Sequence, residues 1–127
     1  MNFLDPYAPQ VKSLLRIVTG LLFLSFGIAK LLHFPSVPMF ANVKPTDFPE
    51  GIAGCIETIT GALVLLGFFS RIAAFIASGE MAIAYFMAHF PASIFPVVNG
   101  GTPAILFCFV FLFFAAAGPG PWALNQK

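Results

Sequence analysis

Charged residues are scarce in this sequence. Only 9% of its 127 residues are charged, whereas 59% are hydrophobic, and the mean hydropathy is +0.94. A soluble globular domain carries about 25% charged residues and roughly 45–50% apolar ones. So few charges cannot cover a water-facing surface, whereas a lipid environment tolerates such a composition. The composition therefore indicates an integral membrane protein, and the length allows one domain.

Recognisable cofactor motifs are also missing. No haem, flavin or iron–sulfur pattern is present, so the sequence encodes no cofactor that a motif would reveal. Cys55 and Cys108 form neither a CxxC pair nor a zinc-ligand spacing, and we expect each to pack as a small hydrophobic residue. The net charge of +1 provides no basic surface for nucleic acid. We predict no metal site and no nucleic-acid partner.

Four apolar runs approach the length of about 20 residues that a membrane-spanning helix needs. They cover residues 14–32, 51–69, 72–90 and 102–118. They are continuously apolar and too few for a membrane β-barrel. The first run ends at Lys30 to His33 without a small-residue cleavage site, so we interpret it as an uncleaved span. The sequence predicts an all-α membrane protein, an antiparallel bundle of four transmembrane helices in a single domain over residues 1–127.

The distribution of cations predicts the orientation. With four spans, one side of the membrane holds four cations and the other holds two: Lys12, Arg16, Arg71 and Lys127 against Lys30 and Lys44. The positive-inside rule then places both termini and the turn at Arg71 in the cytoplasm. The proline-rich segments 33–50 and 91–101 would face outward. We predict a multi-pass protein of the inner (plasma) membrane.

Three charged side chains lie within the predicted spans, where each costs about 2.5–3.5 kcal/mol at a helix centre. Lys30 and Glu57 have similar depths. They either form an ion pair, or Lys30 extends to the interface while Glu57 is protonated. Glu80 lies near the middle of the third span. It is either a neutral acid hydrogen-bonded between helices, or a proton relay or substrate contact.

Two further polar side chains share one face of the third helix. Tyr85 and His89 are four residues apart, near its outer end. His89 could donate to a quinone carbonyl, or it could simply bond a loop carbonyl. His33 enters the outer loop at comparable depth, but no motif supports a two-histidine haem or copper site. We select Glu57, Tyr85 and His89 as candidate ligand-binding residues.

Several segments, in this order and spacing, resemble the DoxX family of small membrane proteins. They are GLLFLSFGIAKLLHF, AGCIETITGALVLLGFFSR, EMAIAYFMAHFP and PVVNGGTPAILFCFVFLFFAAAGPGPW, which together reach from about Arg16 to Trp122. Positions that match the family pattern include Lys30, Glu57, Gly61, Arg71, Tyr85, His89 and the segment 118–122. Thr102 departs from the pattern, because relatives often carry Glu there.

The resemblance implies a four-helix membrane protein with a loose association with redox chemistry, and it brings no settled catalytic residues. Our leading hypothesis is a redox-associated accessory subunit, rather than a stand-alone enzyme, that holds a quinone or similar lipophilic ligand in the outward half of the bundle. It would have a membrane redox partner or form a homo-oligomer. The alternatives are a non-enzymatic assembly factor or scaffold, and a small transporter of lipophilic compounds.

Overall fold

The computed structural model describes residues 2–127, and within that range the chain forms five α-helices and no β-strand. The helices are α1 (Ala8–Leu31), α2 (Glu50–Leu66), α3 (Ser70–Ala84), α4 (Pro96–Asn99) and α5 (Thr102–Ala117). Short 3-10 turns lie at Asp5–Tyr7 and Pro38–Phe40, and a π-helical turn at Tyr85–His89 continues α3. The all-α prediction is confirmed, and the four longer helices coincide with the four apolar runs.

Two helix ends differ from the predicted bounds for local reasons. Helix α1 begins at Ala8, six residues before the apolar run, with Pro9 in its first turn. Proline fits there, because the first N–H groups of a helix have no partner within the helix. Helix α2 ends at Leu66, because Gly67 turns into the left-handed region (φ 69°) and its N–H bonds the carbonyls of Leu63 and Val64.

Two helices have the length and apolar composition of membrane spans, namely Asp5–Leu31 and Ser70–His89. Only 39% and 28% of their most apolar windows are buried within the protein. The core helix of a soluble protein would be mostly buried, so these exposed apolar faces are typical of helices in contact with lipid. The helix Thr102–Ala117 is apolar but shorter.

Glycines bring α1 and α2 close together. A Cβ atom on Gly20 would come within 2.5 Å of the backbone nitrogen of Leu65, and one on Gly61 within 2.8 Å of that of Leu24. Only residues without a side chain allow such an approach. This close approach of α1 and α2 brings Lys30 of α1 within hydrogen-bonding distance of Glu57 of α2.

The core lies where α3 meets α5. Ala73, Ala74 and Ala77 of α3 pack in one cluster with Phe111 and Phe114 of α5, and all five are 2% exposed or less. Small residues on one helix facing large ones on the other fill the space without voids. Phe23 connects α1 to this core, with its ring centroid 4.7 Å from that of Phe111.

The bundle has two distinct ends, which we call the tail end and the loop end. The tail end contains the N-terminal turn, the turn between α2 and α3, and the C-terminal segment after α5. There Lys12 and Arg71 donate to the last carbonyls of α5 at Ala115 to Ala117. Cations suit a helix C-terminus, where carbonyl groups have no partner within the helix. The loop end contains the segments 32–49 and 90–101.

Candidate functional site

An ion pair lies between α1 and α2, about two turns below the loop end. Lys30 Nζ donates to both carboxylate oxygens of Glu57, at 2.9 and 3.0 Å. The side chains of Lys30 and Glu57 are 9% and 2% exposed. The sequence left two alternatives open for Lys30 and Glu57, and in the structure the two side chains form the ion pair. Lys30 Nζ is also 3.4 Å from Glu50 Oε2, in the first turn of α2, and 5.3 Å from the centroid of the Phe40 ring.

Glu80 extends this cluster from a third helix. Its carboxyl group lies within hydrogen-bonding reach of that of Glu57. Its Oε1 atom is buried and has no hydrogen-bond partner among residues 2–127. The fold thus brings Glu80 of α3 beside the Lys30–Glu57 pair. We refer to Lys30, Glu50, Glu57 and Glu80 as the charge cluster.

A second polar group forms where α3 ends and the segment 90–101 turns back. The side-chain amide of Asn99 donates to Tyr85 Oη at 3.1 Å and to the Ser93 carbonyl at 2.8 Å, while its Oδ1 accepts from the N–H of Gly101 at 2.7 Å. The Asn99 carbonyl faces His89 Nδ1 at 3.0 Å. Asn99 therefore fixes both candidate side chains, whose rings stack with centroids 6.2 Å apart. We call Tyr85, His89 and Asn99 the mouth.

The hydrogen bonds of the mouth determine what it can offer a ligand. A carbonyl oxygen only accepts, so His89 Nδ1 must carry the hydrogen that it shares with Asn99. The Nε2 atom of a neutral His89 is then an acceptor. Tyr85 Oη accepts from Asn99 and keeps its own hydrogen to donate. In its neutral form His89 can therefore accept a hydrogen bond from a ligand at Nε2, and the free donor of the mouth is the Tyr85 hydroxyl.

The two polar groups are separate. Tyr85 and His89 meet at the mouth, whereas Glu57 is bonded within the charge cluster, and no hydrogen bond joins the two groups in residues 2–127. The structure therefore divides the predicted ligand set of Glu57, Tyr85 and His89. The hydrogen bond between His89 and the Asn99 carbonyl also agrees with the simpler expectation, that this histidine bonds a loop carbonyl.

The remaining candidates lie elsewhere. His33 is exposed, with φ at 57° just after α1, and has no contact with His89 in the described part of the chain. Arg71 is at the tail end, where it bonds the carbonyls of Ala115 and Ala116. Both Cys55 and Cys108 are free thiols. Within residues 2–127, no group of three or more His, Cys, Asp or Glu side chains could hold a metal ion.

Two open cavities lie at opposite ends of the bundle, and neither is lined by Glu57, Tyr85 or His89. One, of about 470 Å³, is an apolar groove at the tail end, between the start of α1 and Phe113 of α5. The other, of about 380 Å³, is in the loop 38–50 and is lined in part by Asp47 and Glu50. It therefore connects the charge cluster with the surface of the loop end.

Sequence reasoning missed the role of Asn99 and the π-helical turn. The sequence Asn-Gly-Gly at residues 99–101 predicts a turn, but not the contacts that Asn99 makes. Its two glycine neighbours were a usable signal, because a Cβ on Gly101 would come within 2.5 Å of Tyr85 Cε1. The π-helical turn, in which the N–H of Phe90 bonds the Tyr85 carbonyl at 2.9 Å, has no pattern in the sequence.

Comparison with known proteins gives one family and one relative. The family model described as DoxX matches residues 11–90. A protein of Haemophilus influenzae, described as an uncharacterized protein, is 42% identical over 130 residues, covering 100% of this chain and 97% of the relative. No solved structure matches the chain.

Proposed function

The chain belongs to the DoxX family, and on that premise we propose that it is a redox-associated accessory subunit of the inner membrane that binds a quinol or similar lipophilic ligand at the mouth. In this proposal α1, α2, α3 and α5 all cross the membrane as an antiparallel bundle, with both termini in the cytoplasm. The ligand enters from the lipid at the outward half of the bundle. Electrons come from the quinol itself or pass to a partner protein.

One observation carries the proposal: the mouth presents a donor and an acceptor side by side on an apolar surface. Tyr85 offers its hydroxyl hydrogen and His89 its Nε2 acceptor, while Asn99 holds both in place. A hydroxyl group on an aromatic ring, as in a quinol, needs both functions. A ligand site typically combines an apolar lining with a few well-placed polar groups of this kind.

The surroundings of the mouth suit an aromatic ligand. The rings of Phe86 and Phe90 lie beside Tyr85, with centroids 5.3 and 6.4 Å from its ring. Phe86 is 62% exposed and Phe90 43% exposed, so both present ring surface to the lipid phase. Offset or edge-on contacts between aromatic rings stabilise by about 0.5–1.5 kcal/mol beyond their buried area. π-helical turns such as Tyr85–His89 occur frequently at functional sites.

The test is binding of a short-chain quinol analogue to the protein in lipid nanodiscs. Tyr85→Phe removes the donor but leaves the ring, and His89→Phe removes the acceptor. Each substitution should weaken binding by about 0.5–1.5 kcal/mol per lost hydrogen bond, which is roughly 2- to 13-fold. The matched control is Tyr7→Phe, which removes a hydroxyl at the tail end and should leave the affinity unchanged.

The oxidised analogue provides a second comparison. A quinone has only carbonyl acceptors, so it can bond Tyr85 but gains nothing from the acceptor nitrogen of a neutral His89. His89→Phe should therefore weaken binding of the quinol more than that of the quinone. No binding of either form by the wild-type protein would refute the proposal.

The apolar groove at the tail end favours one alternative, the assembly factor or scaffold. Leu4, Val11, Leu15 and Phe113 line it, and a transmembrane helix of a partner protein would bury these side chains. Replacing Val11 and Leu15 with alanine should then release a co-purifying partner, while Tyr85→Phe should not. The reverse pattern would favour the ligand-binding subunit.

A further inference from the structure

The charge cluster has three carboxyl groups and only one cation to balance them. Lys30 is bonded to Glu57 and lies near Glu50, so its single positive charge is already shared between two acids. Glu80 then brings a third carboxyl group, with a buried oxygen that has no partner in the described chain. Two carboxyl groups within hydrogen-bonding reach attract each other only when one of them carries a proton.

Among residues 2–127, no other charged side chain bonds or pairs with Lys30, Glu57 or Glu80. Within the bundle, α1 contributes Lys30, α2 contributes Glu50 and Glu57, α3 contributes Glu80, and the sequence of α5 has no charged residue. On the loop side, the ring of Phe40 packs against Lys30. Asp47 lines the loop cavity together with Glu50. In residues 2–127, Lys30 is therefore the cation that pairs with these acids.

The cluster is also connected to the surface of the loop end. The side chain of Glu50 is 43% exposed and lines the loop cavity, and its Oε2 atom is 3.4 Å from Lys30 Nζ. Lys30 in turn bonds Glu57, and Glu57 lies beside Glu80. Glu50 and Glu57 are seven residues apart on one face of α2, so the row spans about 10 Å along the helix.

We propose that Glu57 and Glu80 share one exchangeable proton, and that Lys30 and Glu50 connect this buried proton site with water at the loop end. In one exchange, Glu50 takes a proton from a hydronium ion in the loop cavity and passes it to Lys30, while Lys30 passes one of its own to the Glu57–Glu80 pair. The proton that the pair held before returns to water by the reverse of these steps, so the pair again holds one proton and the net result is one proton exchanged with water. Rows of ionisable side chains inside membrane proteins serve as such relays. This site does not depend on ligand binding at the mouth.

The experiment is infrared spectroscopy of the protein in nanodiscs, which detects the C=O stretch of a protonated carboxyl group and its shift in D₂O. The wild-type protein at pH 7 should show this band. Glu80→Gln should remove it, and Glu80→Asp, which restores a carboxyl group at the same position, should keep it at a shifted frequency. Absence of the band from the wild-type protein, or its survival in Glu80→Gln, would overturn the shared proton.

The rate of the shift in D₂O tests the connection to the surface. Glu50→Gln should keep the band but slow its shift at least tenfold, because the link between water and Lys30 is lost. Asp47→Asn is the matched control, since Asp47 lines the same cavity without contacting Lys30, and it should leave the rate unchanged. Equal rates in wild type and Glu50→Gln would overturn the route through Glu50.

Discussion

Arg16 is a buried cation whose two terminal nitrogens bond main-chain carbonyls rather than an acid. It is 1% exposed, and its Nη1 and Nη2 atoms donate to the carbonyls of Pro119 and Trp122, each at 2.5 Å. No ion pair to Arg16 occurs in residues 2–127. The planar fork of a guanidinium bonds the two carbonyls from two separate nitrogens in a fixed geometry, whereas a lysine offers its donors from a single nitrogen on a flexible stem. Arg16 thus secures the C-terminal segment to α1.

Arg16→Lys should therefore loosen the tail end. Losing one charge-assisted hydrogen bond should cost about 1.5–3 kcal/mol. Hydrogen exchange should then accelerate at the N–H groups of Leu124 and Asn125, which bond the carbonyls of Leu66 and Gly67. Arg71→Lys is the control, because Arg71 makes similar carbonyl bonds from an exposed position and should show a smaller effect. Equal effects of the two variants would contradict this account.

The Lys30–Glu57 pair should behave as a buried ion pair in a mutant cycle. Glu57→Gln leaves the ammonium group of Lys30 with a weaker partner, and breaking one side of a buried pair typically costs about 3–5 kcal/mol. Lys30→Met combined with Glu57→Gln removes both charges and should cost less than Glu57→Gln alone. Thermal unfolding in detergent measures this, and losses that simply add would show that the pair contributes no coupling.

At the scale of helices, the sequence predicted the four long segments and missed details that depend on contacts between them. An apolar run is a local feature of the sequence, so each of the four runs corresponds to one of the helices α1, α2, α3 and α5. Asn99 is different, because its role depends on the segment 90–101 folding back onto Tyr85. The same holds for Glu80, whose neighbour Glu57 comes from another helix. Sequence spacing reports contacts within one helix, and these contacts cross between helices.

The close approach of α1 and α2 gives a prediction about glycine. Gly61→Ala should destabilise the protein and disrupt the Lys30–Glu57 pair, because the new Cβ would lie 2.8–3.1 Å from backbone and side-chain atoms of Leu24. Gly79→Ala is the matched control, since a Cβ at Gly79 meets nothing within 4 Å. It should be neutral or stabilising by about 0.5–1 kcal/mol through helix propensity. Thermal unfolding measures the stability of both variants. An equal change in stability in the two would argue against tight packing at Gly61.

At the scale of the whole molecule, the cations separate between the two ends. Lys12, Arg16 and Arg71 all bond main-chain carbonyls at the tail end, whereas Lys30 belongs to the charge cluster near the loop end. The positive-inside rule then predicts that the tail end faces the cytoplasm. This orientation would place the mouth and the loop cavity on the outward side of the membrane.

Cysteine labelling of intact cells tests this orientation. In a background in which Cys55 and Cys108 are replaced by alanine, single cysteines at Lys44 and Ser93 should react with a membrane-impermeant reagent from outside. Single cysteines at Arg71 and Lys127 should react only after the cells are opened. Labelling of the Arg71 position in intact cells would reverse the orientation.

The most direct test of the central claim, that the mouth holds a lipophilic quinol-type ligand, is native mass spectrometry of gently extracted protein. The wild-type protein should carry an added mass equal to that of a membrane quinone or quinol, which collisional activation releases. The double variant Tyr85→Phe with His89→Phe should carry much less of it at the same protein yield. A wild-type protein that carries no such mass, or carries it equally in the double variant, would contradict the account.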